Sequence, residues 1–475
     1  MNTHAAVNTI RNASLEQDVF DVKQAMIEYV WSLDFSDWER LRRVFADDIV
    51  FRSSNMGHYE GADNLVREFQ NRTVRTPIRR HMLASAFVDV QGDNAVFTSY
   101  NINTRVRPGA PGGDYFFGAG YYRNSFRRTT DGWKMYAFQW EATLLEGNSV
   151  LVPTSGPTIY LPVMSGLRDA PWGGLGKSVA SRQDRSDYSQ IEDLIVGLHR
   201  AADADDIHHV TSSFREDATI AVAATSMSRQ AGAGYLCASQ RDSWQTTFLT
   251  NVNISIDGGT GHFGAYAYVN RPTGDPDGAF HGGGIVLAKV TKGEDGWGVA
   301  TYQYVPLWDR RQPVVERTML DADILERARL AYAKAGLPNS GRAERDVASL
   351  MSRYTWCYDL ADFDQIEEVF HPDTDSSFNM NGTQWNIGRA QMLANMKASR
   401  QSVNQVMHYV YNVDVKLGLD GESAFVRCYA NTRRTHDDSE RVAMAGGHYV
   451  MHARKCDGRW KFDSFRYTRT HEPFL

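Results

Sequence analysis

Two segments of the 475-residue chain set the same side chains at the same offsets: Tyr29 to Phe45, YVWSLDFSDWERLRRVF, and Tyr354 to Phe370, YTWCYDLADFDQIEEVF. In each, a Tyr stands five residues before an Asp, Asp34 or Asp359, that closes an apolar helical run. An Asp at a helix end is by default a capping carboxylate in water. Its chemical alternative is to bond one nitrogen of an imidazole, which fixes the tautomer and makes the other nitrogen a competent acid/base near neutral pH. His81 in RRHMLAS and His408 in VMHYVYN are the candidates among the fourteen histidines of the chain. Tyr29 and Tyr354 are either core tyrosines or phenols that hold a water or polarise a substrate oxygen. Trp31 and Trp356 pack by default and are otherwise candidate aromatic walls for a substrate. Of Arg79, Arg80, Arg105 and Arg107, one could hold a phenolate or carbonyl oxygen, and Arg80 is taken as the candidate. G-x-S-x-G, P-loop and H-E-x-x-H motifs are absent. Gly259 to Gly264, GTGHFG, spells G-x-G-x-x-G, but the strand-like AYAYVN follows it, so it reads as a turn and not a phosphate cradle.

The elements that must position these residues recur three times. A degenerate third version of the opening segment is Leu198 to Phe214, LHRAADADDIHHVTSSF, with Asp203 aligned on Asp34 and Asp359. A second landmark follows each copy: Gly120 to Trp133, Gly284 to Trp297 and Gly447 to Trp460, each with Gly thirteen residues before Trp. Three domains follow, over 1–150, 187–310 and 344–475, joined by a Pro/Gly/Ser-rich linker at 151–186 and a helix-containing linker at 311–343. In the first copy Val19, Val22, Met26, Tyr29 or Val30, and Leu33 recur at helical spacing. Ser36 and Glu39 read as a capping box for a second, short helix, and a third spans about 62–71. Strand-like runs complete the domain, from AFVDV to WKMYAFQWEATLL. The fold class is therefore α+β: three tandem cone-shaped domains, each a curved antiparallel sheet wrapped around N-terminal helices, with a pocket at the open end.

Composition narrows the function classes. A net charge of -6 and no long basic run argue against nucleic acid as a partner. The polar N-terminus has no apolar signal-like core, and no apolar run is long enough to span a membrane, so a cytoplasmic protein is expected. The four cysteines lie far apart with no C-x-x-C, as in a reduced compartment. Eleven Trp, 22 Tyr and 22 Phe favour aromatic-lined interiors, suited to a small-molecule aromatic substrate.

The order of elements, LDFSDWERLRRVFADD, RRHMLAS and DGWKM resemble the SnoaL-like branch of the nuclear-transport-factor-2-like superfamily, with scytalone dehydratase the nearest enzyme type. The resemblance covers domains 1 and 3 end to end and domain 2 more loosely. It implies an Asp–His pair, matched by Asp34 with His81 and by Asp359 with His408; in domain 2 the His position falls at about Asn251. It also implies a second His before the D-G-x-W turn. His448, with His452 on the same strand face, stands there in domain 3, whereas domain 1 offers Tyr121 or Tyr122. No third ligand beside His448 and His452 has convincing spacing for a metal, and no cofactor is implied.

Members of the superfamily include dehydratases, isomerases, polyketide cyclases and cofactor-free lyases of lignin-derived compounds. The leading expectation is a cofactor-independent lyase acting on a hydroxylated aromatic, possibly lignin-derived or polycyclic. It would dehydrate, or, through a quinone methide, cleave a C–C bond with release of formaldehyde. The alternatives are an isomerase or cyclase of aromatic or polyketide compounds, and a non-catalytic binding or assembly protein of the same fold. Domains of this fold usually pair through their sheets, so three per chain imply one internal pair, one face left over and a homodimer.

Overall fold

The structure is a computed structural model that describes residues 2–54, 56–73, 76–152, 185–238, 245–272, 279–309, 322–380, 382–403, 405–435 and 443–471. Most of the Pro/Gly/Ser-rich linker, 153–184, lies outside the described residues. Domain 1 runs through α1 (Asn2–Asp34), α2 (Trp38–Val44), β1 (Phe45–Ser53), β2 (Gly57–Glu60), α3 (Ala62–Thr73), β3 (Ile78–Gln91), β4 (Asn94–Val106), β5 (Tyr115–Thr129) and β6 (Gly132–Gly147). Domain 2 repeats the order as α4 (Asp187–Asp203), α5 (Ile207–Ser212), β7 (Phe214–Val222), β8 (Thr225–Ser228), α6 (Arg229–Ala238), β9 (Thr246–Asp257), β10 (Thr260–Pro272), β11 (Ala279–Gly293) and β12 (Gly296–Asp309). A connecting helix, α7 (Ala322–Tyr332), precedes domain 3: α8 (Ala343–Asp359), α9 (Phe363–Ile366), β13 (Phe370–Met380), β14 (Thr383–Gly388), α10 (Arg389–Gln401), β15 (Gln405–Leu417), β16 (Ser423–Thr435), β17 (Ala443–Cys456) and β18 (Arg459–His471).

Each domain is α+β, with one six-stranded curved sheet and its preceding helices. The strand order is β2-β1-β6-β5-β4-β3 in domain 1, and the same in the other two. The pairings β1 with β6, β7 with β12 and β13 with β18 are parallel, because the chain crosses the helices between them. GTGHFG is a hairpin turn running into β10, as its flanking strands require.

The recurring segment forms because Val19, Val22, Met26, Tyr29, Val30 and Leu33 bury one broad face of α1 against the sheet. The helix then stops within three residues. Ser36, Asp205 and Ala361 all take φ near +58°, a left-handed step that turns the chain sharply into the next helix. The capping box expected from Ser36 and Glu39 is displaced by this turn. Asp37 is the N-cap instead, its carboxylate accepting from Arg40 N–H at 3.1 Å. The Gly–Trp landmark also has a physical cause. A Cβ at Gly120 or Gly284 would collide with the carbonyl of Glu141 or Val305, where the strand pair is bulged. The Trp133 and Trp297 indoles donate to Asp18 and Asp187 on the first helix of their own domains, at 3.4 and 2.8 Å.

Domain 1 is a compact body by itself, and domains 2 and 3 together form a second. Within that second body β9 lies against β15 and α8. Trp356 is fully buried there, its ring 4.7 Å from that of Tyr266 and its indole N–H donating to the Asn251 carbonyl at 2.9 Å. The Trp308 indole donates to the Tyr409 hydroxyl at 2.9 Å. Helix α7 is tied to domain 3 through Asp362, which accepts from the Tyr332 hydroxyl and from the Arg329 guanidinium. The aromatic surplus of the sequence is thus spent in part on joining two domains.

Candidate active site

Asp34 and His81 meet because Arg79 ties the end of α1 to β3. Its guanidinium donates to the carbonyls of Leu33, Asp34 and Thr76 and to the Ser36 hydroxyl, at 2.6–3.1 Å. Asp34 then accepts from the His81 backbone N–H at 2.8 Å and reaches His81 Nδ1 at 2.6 Å. Domain 3 repeats this geometry: Asp359 accepts from His408 N–H at 2.7 Å and lies 2.6 Å from Nδ1. The side chains of both pairs are at most 7% exposed, so little solvent screens them. A carboxylate can only accept, so Nδ1 carries the proton and Nε2 presents a lone pair. Nε2 of His408 has no hydrogen-bond partner among the described residues.

Tyr29 and Tyr354 lie inside the pockets, each sharing a hydrogen bond with a second phenol, Tyr122 and Tyr449 respectively. Burial pushes all four phenols up, well above their ordinary value, so they stay neutral donors at any physiological pH. Tyr358, which takes the place of Leu33, stands edge-on to the His408 ring at 5.2 Å and donates to the Ser399 hydroxyl.

Several expected contacts are not brought together. His448 and Tyr121 lie one residue before Tyr449 and Tyr122, on the opposite face of their strands. The Tyr121 hydroxyl bonds Glu141 there, and His452, on the His448 face, bonds Asp463 at 2.7 Å. Arg80 likewise alternates away from Arg79 and His81, which line the pocket. Trp31 stacks on Phe35 at 5.3 Å outside the lining, and Trp356 belongs to the domain 2–domain 3 junction. The shared signal for the second phenol was present in the sequence, since Gly plus two is Tyr in both landmarks. Among the described residues no cluster of three or more His, Cys, Asp or Glu is placed to hold a metal, and no helix is long and apolar enough to cross a membrane.

In domain 2 the partner of the Asp is Thr247 and not Asn251. Asp203 accepts from Thr247 N–H and from its hydroxyl, both at 2.8 Å. Asn251 is four residues further on, at a bulge with φ +52°, and turns toward domain 3. A threonine hydroxyl does not titrate near neutral pH, so this site lacks a base at that position. Its own histidine, His199, bonds the Tyr302 hydroxyl at 3.2 Å and is pushed down to about 4 by burial. The unfolded chain therefore takes up a proton first as pH falls below the ordinary histidine value of about 6.5. The stability at stake is present above that pH and lost toward pH 4, amounting to about 3 kcal/mol. Urea unfolding across this window should show wild type losing that much relative to His199→Phe.

The three cavities differ in size more than in plan. Domain 1 holds about 40 Å³, domain 3 about 220 Å³ and domain 2 about 280 Å³. The first has room for a water or two, whereas a cavity of about 150 Å³ already binds benzene. Strand register explains the contrast. Phe51, stacked 4.5 Å from Phe138 in domain 1, is replaced by Ser376 opposite Phe465 in domain 3. Arg72 of the domain 1 lining becomes Ser399.

The SnoaL-like domain family matches residues 17–139, 183–303 and 340–466, most of the chain. Comparison with curated proteins gives no match. Among solved structures, a proposed aromatic ring hydroxylase from Novosphingobium aromaticivorans is 26% identical over 29% of this chain and 96% of its own, with a TM-score of 0.27. A proposed scytalone dehydratase from the same organism is 18% identical over 27% and 85%, with a TM-score of 0.25. A proposed NTF2-like dehydratase from Streptomyces avermitilis is 21% identical over 27% and 99%, with a TM-score of 0.26. The chain belongs to the SnoaL-like domain family, as three tandem copies of its domain.

Proposed function

We propose that the protein is a cofactor-independent lyase of a hydroxylated aromatic compound, and that domain 3 is its working site. One observation carries this reading: among the described residues, only in domain 3 does an Asp–His pair with an open Nε2 face a cavity large enough for an aromatic ring. In domain 1 the pair is present but the cavity is tight, and in domain 2 the cavity is present without the pair.

In a dehydration, His408 Nε2 takes the proton from the carbon next to the one bearing the hydroxyl. The C–H electrons form the new double bond as the C–O bond breaks, and Asp359 stabilises the imidazolium that results. Within the Tyr354–Tyr449 pair one hydroxyl donates to the other, and the remaining O–H donates to the departing oxygen without giving up its proton. The imidazolium returns its proton to the leaving hydroxide, so water is released and the enzyme is unchanged. A p-hydroxyaryl substrate that first loses its benzylic hydroxyl forms a quinone methide, and the same base could then drive formaldehyde release. Isomerisation needs the same proton shuttle with no leaving group. Incubating the full chain, without added cofactor, with benzylic alcohols of hydroxylated one- and two-ring aromatics should yield the dehydrated product by mass, or trapped formaldehyde. Unchanged substrate across that panel would sink the lyase reading.

A further inference from the structure

Strand register places one arginine at the same position in every domain. His81, Thr247 and His408 pair across the sheet with Asn103, Val269 and Thr432, and Arg105, Arg271 and Arg434 stand two residues beyond those partners, on the same face. All three line the cavities of their own domains. None of them makes a hydrogen bond or an ion pair with any described residue. Arg105 is only 8% exposed, and its buried Nε has no partner. The charges of Arg79 and Asp34 both act on it, the first against its cation and the second in favour, and Asp34 is committed to His81. Arg271 lies over the Phe280 ring, 4.6 Å from its centroid. The arginine is present in domain 2 as well, where Thr247 stands in place of the pair histidine and Leu198 and Val286 in place of the two phenols. Arg271 and Arg434 are half-buried at the walls of the two larger cavities, where a guanidinium without an ion pair is free to meet an incoming anion.

We propose that Arg434 and Arg271 seat a carboxylate on an aromatic ligand, so that the domain 2 cavity binds the same class of aryl carboxylate as domain 3 without converting it. For domain 3 this rests on the function proposed above and names its substrate class; for domain 2 it stands apart from any catalysis. The guanidinium fork matches a carboxylate in two parallel hydrogen bonds, while the aromatic walls take the ring.

The test is equilibrium binding of 6-hydroxy-2-naphthoate and of its uncharged amide to the full chain, by calorimetry. The carboxylate should bind about 10- to 100-fold more tightly than the amide. Arg271→Met and Arg434→Met, which keep the length of the stem, should each remove one class of tight site and leave affinity for the amide unchanged. Circular dichroism and the site remaining in each variant report that the chain still folds. Equal affinity for the two probes, no binding of either at millimolar concentration, or sites unaltered in both variants would overturn the proposal. Turnover is not read in this experiment, so a failed lyase assay leaves its outcome intact, and the reverse also holds.

Discussion

Replacing His408 by Asn is expected to lower turnover about 10²- to 10⁴-fold, the usual worth of a positioned general acid/base. Asparagine is chosen because its amide can donate to Asp359 where Nδ1 did, so the buried carboxylate keeps a partner and domain 3 keeps its fold. What disappears is Nε2, the atom of the pair that takes up the proton in the proposed chemistry. Alanine would confound the result, since it leaves the buried Asp359 carboxylate without its ring partner, with the backbone N–H of residue 408 still bonded to it. His81→Asn, with the same local chemistry beside a cavity of about 40 Å³, should leave turnover close to wild type. The measurement is kcat with the thermal midpoint recorded alongside. Full activity in His408→Asn together with loss in His81→Asn would move the reaction to domain 1.

Asn251→Gly should lower both the stability of the domain 2–domain 3 body and the turnover of domain 3, although Asn251 lines neither cavity. Its side-chain amide donates to the Thr355 hydroxyl and to the His408 carbonyl, both at 2.7 Å, and its oxygen accepts from Val410 N–H at 2.9 Å. The backbone of the proposed base is therefore held from the neighbouring domain. Tyr266, on the adjacent strand of domain 2, adds to this contact: after burial, the charge of Asp359 is the next cause holding its phenol up. Glycine tolerates the left-handed φ of +52° that Asn251 adopts, so the variant isolates the side chain from backbone strain. Each buried partner left unsatisfied costs about 1–3 kcal/mol, enough for a clear fall in the thermal midpoint. A midpoint and kcat both equal to wild type would show that domain 2 does not position His408.

These two residues mark the boundary between what could be read from the chain and what could not. The pairs Asp34–His81 and Asp359–His408 were legible because the acid repeats within a segment of fixed spacing and the histidine follows at nearly the same distance. Asn251 was visible too, but as the stand-in for a histidine; loop lengths between helix and strand differ among the domains, and Thr247 occupies that place instead. Side-chain direction in a strand has a period of two, so an error of one residue exchanges pocket for outer face. That is why Tyr121 could not be told from Tyr122, and why His448 was read at a place where its neighbour Tyr449 lines the pocket, next to bulges that interrupt simple counting.

By itself the sequence determined the three copies, the order of helices and strands, and the acid at the end of each first helix. These rest on local periodicity and on repetition along one chain, neither of which depends on distant contacts. Only the tertiary structure decided which cavity is open and which is filled, because that turns on Phe51 in place of Ser376 on the sheet and Arg72 in place of Ser399 on the helix that lines the pocket. It also decided that Trp356 joins domains instead of walling a pocket, and that an arginine at the same register position of each sheet lines each cavity without a hydrogen bond or ion pair to a described residue. Burial and pairing are properties of neighbours brought close by folding, and the linear order of residues does not contain them.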